Sequence, residues 1–424
     1  MQDEIKKIYD DLAANVTFIH NRQNLHLALD LVWHSPLSFR FGKKIIKKGF
    51  PELLVVGDTR CGKSETASAL LKHYRLGAKA SGENASKAGL VGGMEQINKK
   101  WRVSWGRIPL NNKRLLIIDE ASSLKVEQIA DMSNVRSECI AEISKIGGHQ
   151  RTEAYTRLIW LSNTRDGGTI GSYGTGMRII EHLIGNKEDV ARFDLAIIID
   201  KDELTVDQMD ERYVDEVPHI YTSDLCHALV LWCWSRRMDQ VIIGKSTYNA
   251  CFDLGKKMSE KYSEECPLVN RSEQKLKLCR LAAGLAGRLF STDSSGEKLI
   301  VLPEHVEYVY NFMCYEYDKP HFGYNTFSAR KKQTTTFQNP KEVVNVLAEM
   351  SGKTAEQLLE TYQITVKSIE ESTGQSYELA KHYVSVLLKE GALRKTGTYY
   401  TKTTAFNKVL KEFIHDPTAL EKEF

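Results

Sequence analysis

Four short apolar runs, rich in branched aliphatic residues, recur along the first half of the chain. They are ELLVVG, KRLLIID, RLIWLS and LAIIID, which begin at residues 52, 113, 157 and 195. Runs of this length without alternation predict strands buried on both faces, as in a parallel sheet covered by helices. The segment SETASALLKHY, which follows the first run, has apolar residues at helical spacing. The pattern therefore predicts an α/β fold.

The pattern changes to helices after residue 205, in YTSDLCHALVLWCWSRRM, TYNACFDLGKKMSEKY and RSEQKLKLCRLAAGLAGRLF. The longest apolar run, HALVLWCW at 227–234, is too short to span a bilayer, and it predicts a buried helix. A polar stretch, GYNTFSARKKQTTTFQNP, then predicts a linker.

The remaining residues predict a small domain of their own. Three helical patterns, KEVVNVLAEM, TAEQLLETYQ and YELAKHYVSVLLKEG, precede two β-rich arms around Thr396 and Gly397. Three helices and a hairpin are typical of a winged helix. Seven Lys/Arg against one Glu between residues 381 and 411 give a local charge of +6. Such a domain docks either on DNA or on another protein.

Composition narrows the class of protein. The chain has 424 residues, 42% of them hydrophobic and 27% charged, and a net charge of +3, so any nucleic-acid surface must be a local patch. Eight cysteines occur, none of them in a Cys-x-x-Cys pair, which argues against a zinc ribbon. This cysteine pattern, without a secretory signal at the start of the chain, predicts a cytoplasmic protein. We expect no membrane partner.

The first strand leads directly into a phosphate-binding pattern. Gly57, Gly62, Lys63 and Ser64 fit G-x-x-x-x-G-K-[ST] between a strand and a helix. Glycines let backbone N–H groups turn onto phosphate oxygens, and the helix N-terminus favours negative charge. Lys63 is expected to reach the β- and γ-phosphates of ATP, and Ser64 to ligate Mg²⁺. The predicted nucleotide-binding residues are Gly57, Asp58, Thr59, Arg60, Cys61, Gly62, Lys63, Ser64 and Glu65.

Three later strand ends supply groups for ATP hydrolysis. Asp119 is expected to hold Mg²⁺ and Glu120 to polarise the attacking water, because both follow a buried strand. Asn163 ends the third strand, where it would meet the γ-phosphate, unless it only forms a turn. Arg192 precedes the fourth strand and either reaches a neighbouring subunit's nucleotide or forms a surface salt bridge.

The order of these segments resembles the MCM helicases, which are ring-shaped AAA+ motors that unwind DNA. The phosphate loop is followed by ASKAGLVGG, LLIIDE, ISKIGGHQRTEAYTRLIWLSN and ARFDL, over residues 50 to 290. These are similar, respectively, to the family's first inserted hairpin, its metal-binding acids, its second hairpin with the sensor asparagine, and its arginine finger. The resemblance implies an AAA+ P-loop αβα core with a helical lid and a winged helix.

From this resemblance we expect five regions. They are an N-terminal helical segment (1–48), the AAA+ core with two inserted hairpins (49–205), a helical lid (206–318), a linker (319–340) and the winged helix (341–424). The resemblance also implies a second arginine sensor. Arg271 is the candidate, although its spacing is about two residues off and a helix-capping or surface role is an open alternative.

The sequence departs from the family in two places. In RCGKS, Gly62 stands directly before the lysine, where MCM proteins usually have an alanine. About 50 residues precede the predicted sheet, so we expect the large N-terminal MCM domain to be missing, as in MCM-like helicases of phages or mobile elements.

Basic and aromatic residues in the two hairpins are the DNA-binding candidates. Lys99, Lys100 and Trp101 lie in the first hairpin, where the tryptophan either stacks on bases or packs on the core. In the second hairpin, Lys145 aligns with a lysine that contacts DNA, and His149 and Arg151 lie near the tip. Lys145 is otherwise a solvated charge.

The predicted function is an ATP-dependent DNA helicase that acts as a homo-oligomeric ring, expected to be a hexamer, in replication, with possible replication partner proteins. The proposed catalytic residues are Lys63, Asp119, Glu120, Asn163, Arg192 and Arg271. Two alternatives remain open from the sequence. One is an AAA+ helicase loader or protein remodeller, and the other is a nucleotide-switched DNA-binding regulator.

Overall fold

The computed structural model divides the chain into two compact units, residues 1–325 and 326–424. It describes residues 1–97, 100–145, 148–173, 175–204, 208, 217–262, 264, 266–325, 327, 339–350, 352–361, 363–396 and 399–415. For residues 97, 100, 145, 166, 340, 352, 396, 404, 405 and 408 only the backbone is described.

A five-stranded parallel sheet forms the centre of the first unit. Its strands are β3 (Leu53–Gly57), β4 (Ala78–Ser81), β7 (Leu115–Asp119), β10 (Arg157–Ser162) and β11 (Leu195–Ile199), in the spatial order β11-β3-β10-β7-β4. Every residue of β3, β7, β10 and β11 is buried, which confirms the sheet predicted from the four apolar runs. The sequence did not predict β4, because an edge strand needs no continuous apolar run.

The register of the sheet brings the ends of the strands together. Ser81 pairs with Asp119, and Gly57 pairs with Ile199. Because all five strands are parallel, their carboxyl ends lie along one edge, which is where α/β sheets bind ligands.

Helices cover the sheet and precede it. Those that belong to the sheet region and its insertions are α1 (Gln2–Leu12), α2 (Gln23–Trp33), α3 (Lys63–Tyr74), α4 (Lys87–Leu90), α5 (Arg107–Leu110), α6 (Val126–Asp131), α7 (Ser133–Glu138), α8 (Gly176–Ile184) and α9 (Lys187–Ala191). Helix α2 is buried from Leu25 to Trp33. A short antiparallel pair, β1 (Phe39–Phe41) and β2 (Lys44–Ile46), follows it.

Two antiparallel hairpins project from this core. They are β5 (Gly92–Ile97) with β6 (Lys100–Trp105), and β8 (Ile140–Lys145) with β9 (Gly148–Glu153). A methyl group on Gly92 would lie 2.7 Å from Cδ1 of Ile143, and Gly92 has a φ of +143°. The hairpins therefore lie side by side, and glycine at this position permits the close approach.

The helical part of the first unit follows β11. Its elements are α10 (Ser223–Ser235), β12 (Val241–Ile243), α11 (Lys245–Lys261), α12 (Gln274–Arg288), β13 (Leu299–Val301) and α13 (Pro303–Asp318). A buried ion pair, Nε of Arg288 to Oδ2 of Asp30 at 2.7 Å, links α12 to α2.

Helix α10 corrects one sequence prediction. HALVLWCW is helical, but Leu231 is 44% exposed, and Leu225 just before the run is 51% exposed. The predicted buried helix is therefore confirmed only in part, since Cys226, Val230 and Cys233 are buried where α10 contacts α3 and α12. Within the described residues no helix is both long and apolar enough to cross a membrane.

The first unit extends past α13. Phe322 and Tyr324 are fully buried, and the N–H of Gly176 donates to the carbonyl of His321 at 2.8 Å. Residues 319–325, which the sequence assigned to the linker, therefore pack within the first unit. Most of the remaining predicted linker, 328–338, lies outside the described residues.

The second unit is helical with one hairpin. Its elements are α14 (Pro340–Met350), α15 (Gly352–Glu360), α16 (Val366–Thr373), α17 (Tyr377–Lys389), β14 (Leu393–Thr396), β15 (Tyr399–Lys402) and α18 (Thr404–His415). The sequence pattern predicted α14, α15, α17 and the hairpin, but not α16 or α18. Helix α16 depends on the capping hydroxyl of Thr365, which accepts from the N–H of Ser368 at 3.0 Å.

One lysine of the predicted basic face is a structural residue. The ammonium of Lys402 donates to the carbonyls of Leu358 and Leu359, near the end of α15. These carbonyls have no partner in the helix, and the contact caps them. Lys402 therefore faces its own unit instead of a ligand.

Candidate functional site

The loop between β3 and α3 wraps closely around its own lysine. A methyl group on Gly57 would lie 2.9 Å from Cδ of Lys63 and 2.8 Å from the carbonyl of Ile199, so only glycine fits there. Gly62 has a φ of +80° and lies directly before α3. This backbone leaves the first N–H groups of α3 without intrahelical partners, and they form the anion-binding end of a 12-residue helix.

Lys63 is buried at the centre of the loop. Its ammonium donates to the carbonyls of Gly57 at 2.8 Å and Asp58 at 2.6 Å, and to Oδ1 of Asn163 at 3.0 Å. Burial lowers the pKa of Lys63 from its usual value, because desolvation penalises the charged form. The structure thus joins the loop lysine to the asparagine at the tip of β10.

Ser64 and Asp119 provide oxygen ligands suited to Mg²⁺. The hydroxyl of Ser64 donates to Oδ1 of Asp119 at 2.9 Å, and Asp119 is largely buried at the end of β7. Hydroxyl and carboxylate oxygens are the donors that Mg²⁺ prefers. Among the described residues no three His, Cys, Asp or Glu side chains converge on a metal position. A metal ion here would therefore complete its shell with water and with the oxygens of a bound phosphate.

Glu120 lies next to Asp119 in a left-handed conformation, with a φ of +56°. Its Oε2 accepts from the hydroxyl of Ser81 at 2.7 Å, and a methyl group on Gly82 would meet the Glu120 carbonyl at 2.4 Å. The sheet edge thus fixes both the backbone and the side chain of Glu120. The strained φ turns its carboxylate out of the line of β7.

These groups line one cavity of about 330 Å³ at the carboxyl edge of the sheet. Its lining residues are Thr59, Arg60, Cys61, Gly62, Lys63, Ser64, Glu65, Asp119, Glu120, Ser162 and Asn163. Asp58, predicted to bind nucleotide, faces elsewhere, since its Oδ1 accepts from the N–H of Ile170 at 3.0 Å. Its carboxylate holds the loop after β10 in place.

Sequence reasoning missed three residues at this site. Lys79 and Ser81 on β4 contact Asp119 and Glu120 respectively. Ile19 lies 3.2 Å from the Cβ position of Gly62, so the segment before α2 packs on the phosphate loop. No local pattern identifies these residues, because each reaches the site through the sheet register or through long-range packing.

Comparison with known families identifies the part of the chain that contains this cavity. The family model of the MCM P-loop domain matches residues 2–219, just over half of the chain. The chain belongs to the MCM family. The resemblance found in the sequence is confirmed, and an MCM P-loop domain implies nucleotide binding.

A curated MCM relative matches more weakly. The chain is 25% identical over 185 residues to a protein named probable DNA helicase MCM8, from Oryza sativa subsp. indica. The aligned part is 43% of this chain and 22% of that protein. This MCM chain therefore matches about a fifth of the length of its relative.

Arg192 lies apart from the nucleotide cavity. Its Nη1 is 3.1 Å from Oδ1 of Asp189, and among the described residues its Nε has no hydrogen-bond partner. It lines a second cavity, of about 410 Å³, which we call the arginine cavity. The lining residues are Lys48, Arg136, Ser137, Glu188, Ala191, Arg192, Asn270, Glu273, Lys277 and Arg280. The nucleotide cavity and the arginine cavity have no lining residue in common.

Arg271 does not line either of these two cavities. It is exposed ahead of α12, and its backbone N–H donates to Oε1 of Glu264 at 2.7 Å. Lys277 and Arg280, further along α12, join Arg192 in the arginine cavity instead. The structure thus gives no support to Arg271 as the second sensor, because Arg271 itself does not line the cavity although its neighbours Asn270 and Glu273 do.

Lys277 is a buried cation without a carboxylate hydrogen-bond partner in the described structure. Its ammonium donates to the carbonyls of Phe193 at 2.7 Å and Leu268 at 2.8 Å. Burial lowers the pKa of Lys277 to about 8. Arg280 donates to Oδ1 of Asp194 at 2.8 Å, so its charge is balanced.

The hairpins expose part of the predicted DNA-binding set. Trp101 is 46% exposed on β6, and His149 and Arg151 are exposed on β9. Glu142 lies 3.5 Å from Nδ1 of His149 and 4.0 Å from Nε of Arg151. Lys99 lies outside the described residues, as do the side chains of Lys100 and Lys145.

Proposed function

We propose that this MCM protein is an ATP hydrolase that uses ATP turnover to move along DNA. It acts as a ring of identical subunits, expected to be a hexamer, and unwinds duplex DNA in replication. Its cofactors are ATP and Mg²⁺. Its partners are a single DNA strand within the ring, the duplex fork and replication proteins.

The observation that carries this proposal is the separation of the two cavities. The loop lysine, the metal-binding acid and the sensor asparagine converge on one cavity, whereas Arg192 lines another. Within one copy, Arg60 of the phosphate loop lines the nucleotide cavity, but Arg192 does not. A second copy whose arginine cavity faces the first copy's nucleotide would supply Arg192, and repetition of this contact closes a ring.

Each residue of the nucleotide cavity has a role in this proposal. Lys63 neutralises the β- and γ-phosphates, and Ser64 and Asp119 hold Mg²⁺, which shields the charge that develops on the leaving phosphate. Glu120 orients and polarises the attacking water. Asn163 keeps the ammonium of Lys63 in place and lies where the γ-phosphate would be bound.

The hairpins supply the DNA contact of the motor. They lie side by side, and they present an exposed indole and a guanidinium, from Trp101 and Arg151. Rings that stack on bases and cations that follow phosphates suit a single strand without sequence preference. Lys99, Lys100 and Lys145 are proposed to contact DNA from their positions in the sequence.

The second unit is proposed to be a winged helix. The helices α16 and α17 followed by the hairpin β14–β15 support this, together with a shared apolar core that includes Ile369, Leu387 and Phe406. Arg394 and Lys395 on β14 are exposed, which suits either DNA or an acidic protein surface.

Strand displacement tests the function directly. The full chain and its Lys63→Ala variant are given forked and tailed DNA with Mg²⁺ and ATP. We expect ATP-dependent displacement by the wild type and none by the variant. DNA-independent ATP hydrolysis without displacement would contradict the helicase proposal and favour a loader or remodeller. Tight ATP binding with negligible turnover would favour a nucleotide switch.

A further inference from the structure

We propose that Lys79 is a positioning residue that a divalent metal ion must displace from Asp119, so that metal binds this site together with nucleotide instead of alone. This inference rests on the proposed function, because it concerns the same nucleotide cavity. It assigns a role to a residue on the edge strand β4, which carried no motif in the sequence.

The carboxylate of Asp119 is fully engaged. Its Oδ1 accepts from the hydroxyl of Ser64 and from the N–H of Glu120, both at 2.9 Å. Its Oδ2 lies 2.7 Å from the ammonium of Lys79. A metal ion that binds Asp119 therefore competes with a cation already in contact with it.

Lys79 can leave Asp119 without a change in the backbone. A third of its side chain is exposed, and its ammonium also donates to the hydroxyl of Ser68 on α3 at 3.1 Å. Lys63, the other lysine of the cavity, contacts two backbone carbonyls and Asn163 instead of Asp119. Of the two lysines, Lys79 is thus the one whose ammonium a metal ion can displace from Asp119.

Because the metal ion and the ammonium of Lys79 compete for Asp119, the metal binds favourably only when nucleotide is present. The two residues assigned to the metal, Ser64 and Asp119, offer a free ion one hydroxyl and one carboxylate, and the ion must break an ion pair and overcome repulsion from the ammonium of Lys79. A triphosphate adds oxygen ligands and negative charge, which makes the exchange favourable. Lys79 also lowers the negative charge that a metal-free triphosphate meets at Asp119.

The first test measures metal binding to the nucleotide-free full chain. Mn²⁺ binding is followed by electron paramagnetic resonance for the wild type and for Lys79→Met, Lys79→Arg and Lys72→Met. Lys72 is exposed on α3 and provides a matched control. Removing a partly exposed ion pair should tighten Mn²⁺ binding about three- to tenfold in Lys79→Met. The arginine and control variants should match the wild type, and Lys79→Met combined with Asp119→Asn should lose the gain.

The second test compares a fluorescent ATP analogue in EDTA and in Mg²⁺. For Lys79→Met, the ratio of the dissociation constant in EDTA to that in Mg²⁺ should rise about three- to tenfold. An unchanged ratio together with unchanged Mn²⁺ binding would overturn the inference and leave the proposed function intact. Failure of the wild type to bind the analogue in either buffer would instead overturn the proposed function.

Discussion

The ammonium of Lys63 lies 3.0 Å from Oδ1 of Asn163, and this hydrogen bond joins the phosphate loop to the end of a neighbouring strand. Strands β3 and β10 pair in parallel, so their carboxyl ends bring the two residues into contact. Any phosphate that draws Lys63 towards it therefore also disturbs Asn163. We therefore expect a phosphate bound here to act on the loop after β10 through Lys63 and Asn163.

Replacing Glu120 with Gln should separate ATP binding from hydrolysis. The amide keeps the shape of the side chain and its contact with Ser81, but it cannot polarise water. We expect the turnover of ATP to fall at least about 100-fold, with nucleotide affinity within about threefold of wild type. Steady-state phosphate release and binding of a fluorescent analogue measure the two quantities. A turnover rate equal to that of the wild type would remove the proposed role of Glu120.

Mixing two inactive variants should restore activity if the site is shared between subunits. Lys63→Ala removes the loop lysine, and Arg192→Ala removes the proposed finger. Rings that contain both variants should have some sites with both groups intact, so ATPase activity should return at intermediate ratios. Arg271→Ala is the control, and it should keep activity near the wild-type level because it lines neither cavity. Mass photometry checks that mixed rings form. If they form and ATPase activity does not return, Arg192 does not act in trans.

Removing the exposed groups of the hairpins should weaken DNA binding while ATP binding persists. Loss of one stacking ring costs about 1–3 kcal/mol, so Trp101→Ala should weaken single-strand binding at least about fivefold. Arg151→Ala should weaken binding and also reduce its salt dependence. Fluorescence anisotropy with labelled oligonucleotides at two salt concentrations measures both effects. Equal affinity in both variants and the wild type would place the DNA contact elsewhere.

The stability of the protein should rise with pH in a window set by Lys277. Its pKa is about 8 in the folded chain and about 10.4 when unfolded, so between these values the unfolded chain binds more protons. The free energy of unfolding therefore increases through this range, by up to about 3 kcal/mol relative to Lys277→Met. Denaturant unfolding of both proteins at pH 7.5 and pH 10 measures the difference. The same change with pH in both proteins would show that Lys277 stays charged when folded.

The local sequence was enough to predict the sheet and most of the nucleotide cavity. Buried parallel strands need continuous apolar runs, and a phosphate loop needs glycines at fixed spacing, so both leave a local pattern. Asp119, Glu120 and Asn163 were found because each directly follows such a run. The fifth strand, β4, left no pattern because its residues are only partly buried. Helix α18 was missed although its segment, TAFNKVLKEFIH, has apolar residues at helical spacing.

Only the tertiary structure decided which side chains are in contact across the sheet and which lie in separate cavities. Lys79 and Ser81 reach Asp119 and Glu120 only because β4 pairs with β7 in one register. The arginine cavity gathers cations from segments far apart in the chain, and it does not include Arg271, which the family resemblance had suggested. Composition and periodicity specify which segments are buried, since burial depends on each residue's own polarity. The pairing of particular charges depends on the relative placement of whole elements, and no local sequence signal contains that placement.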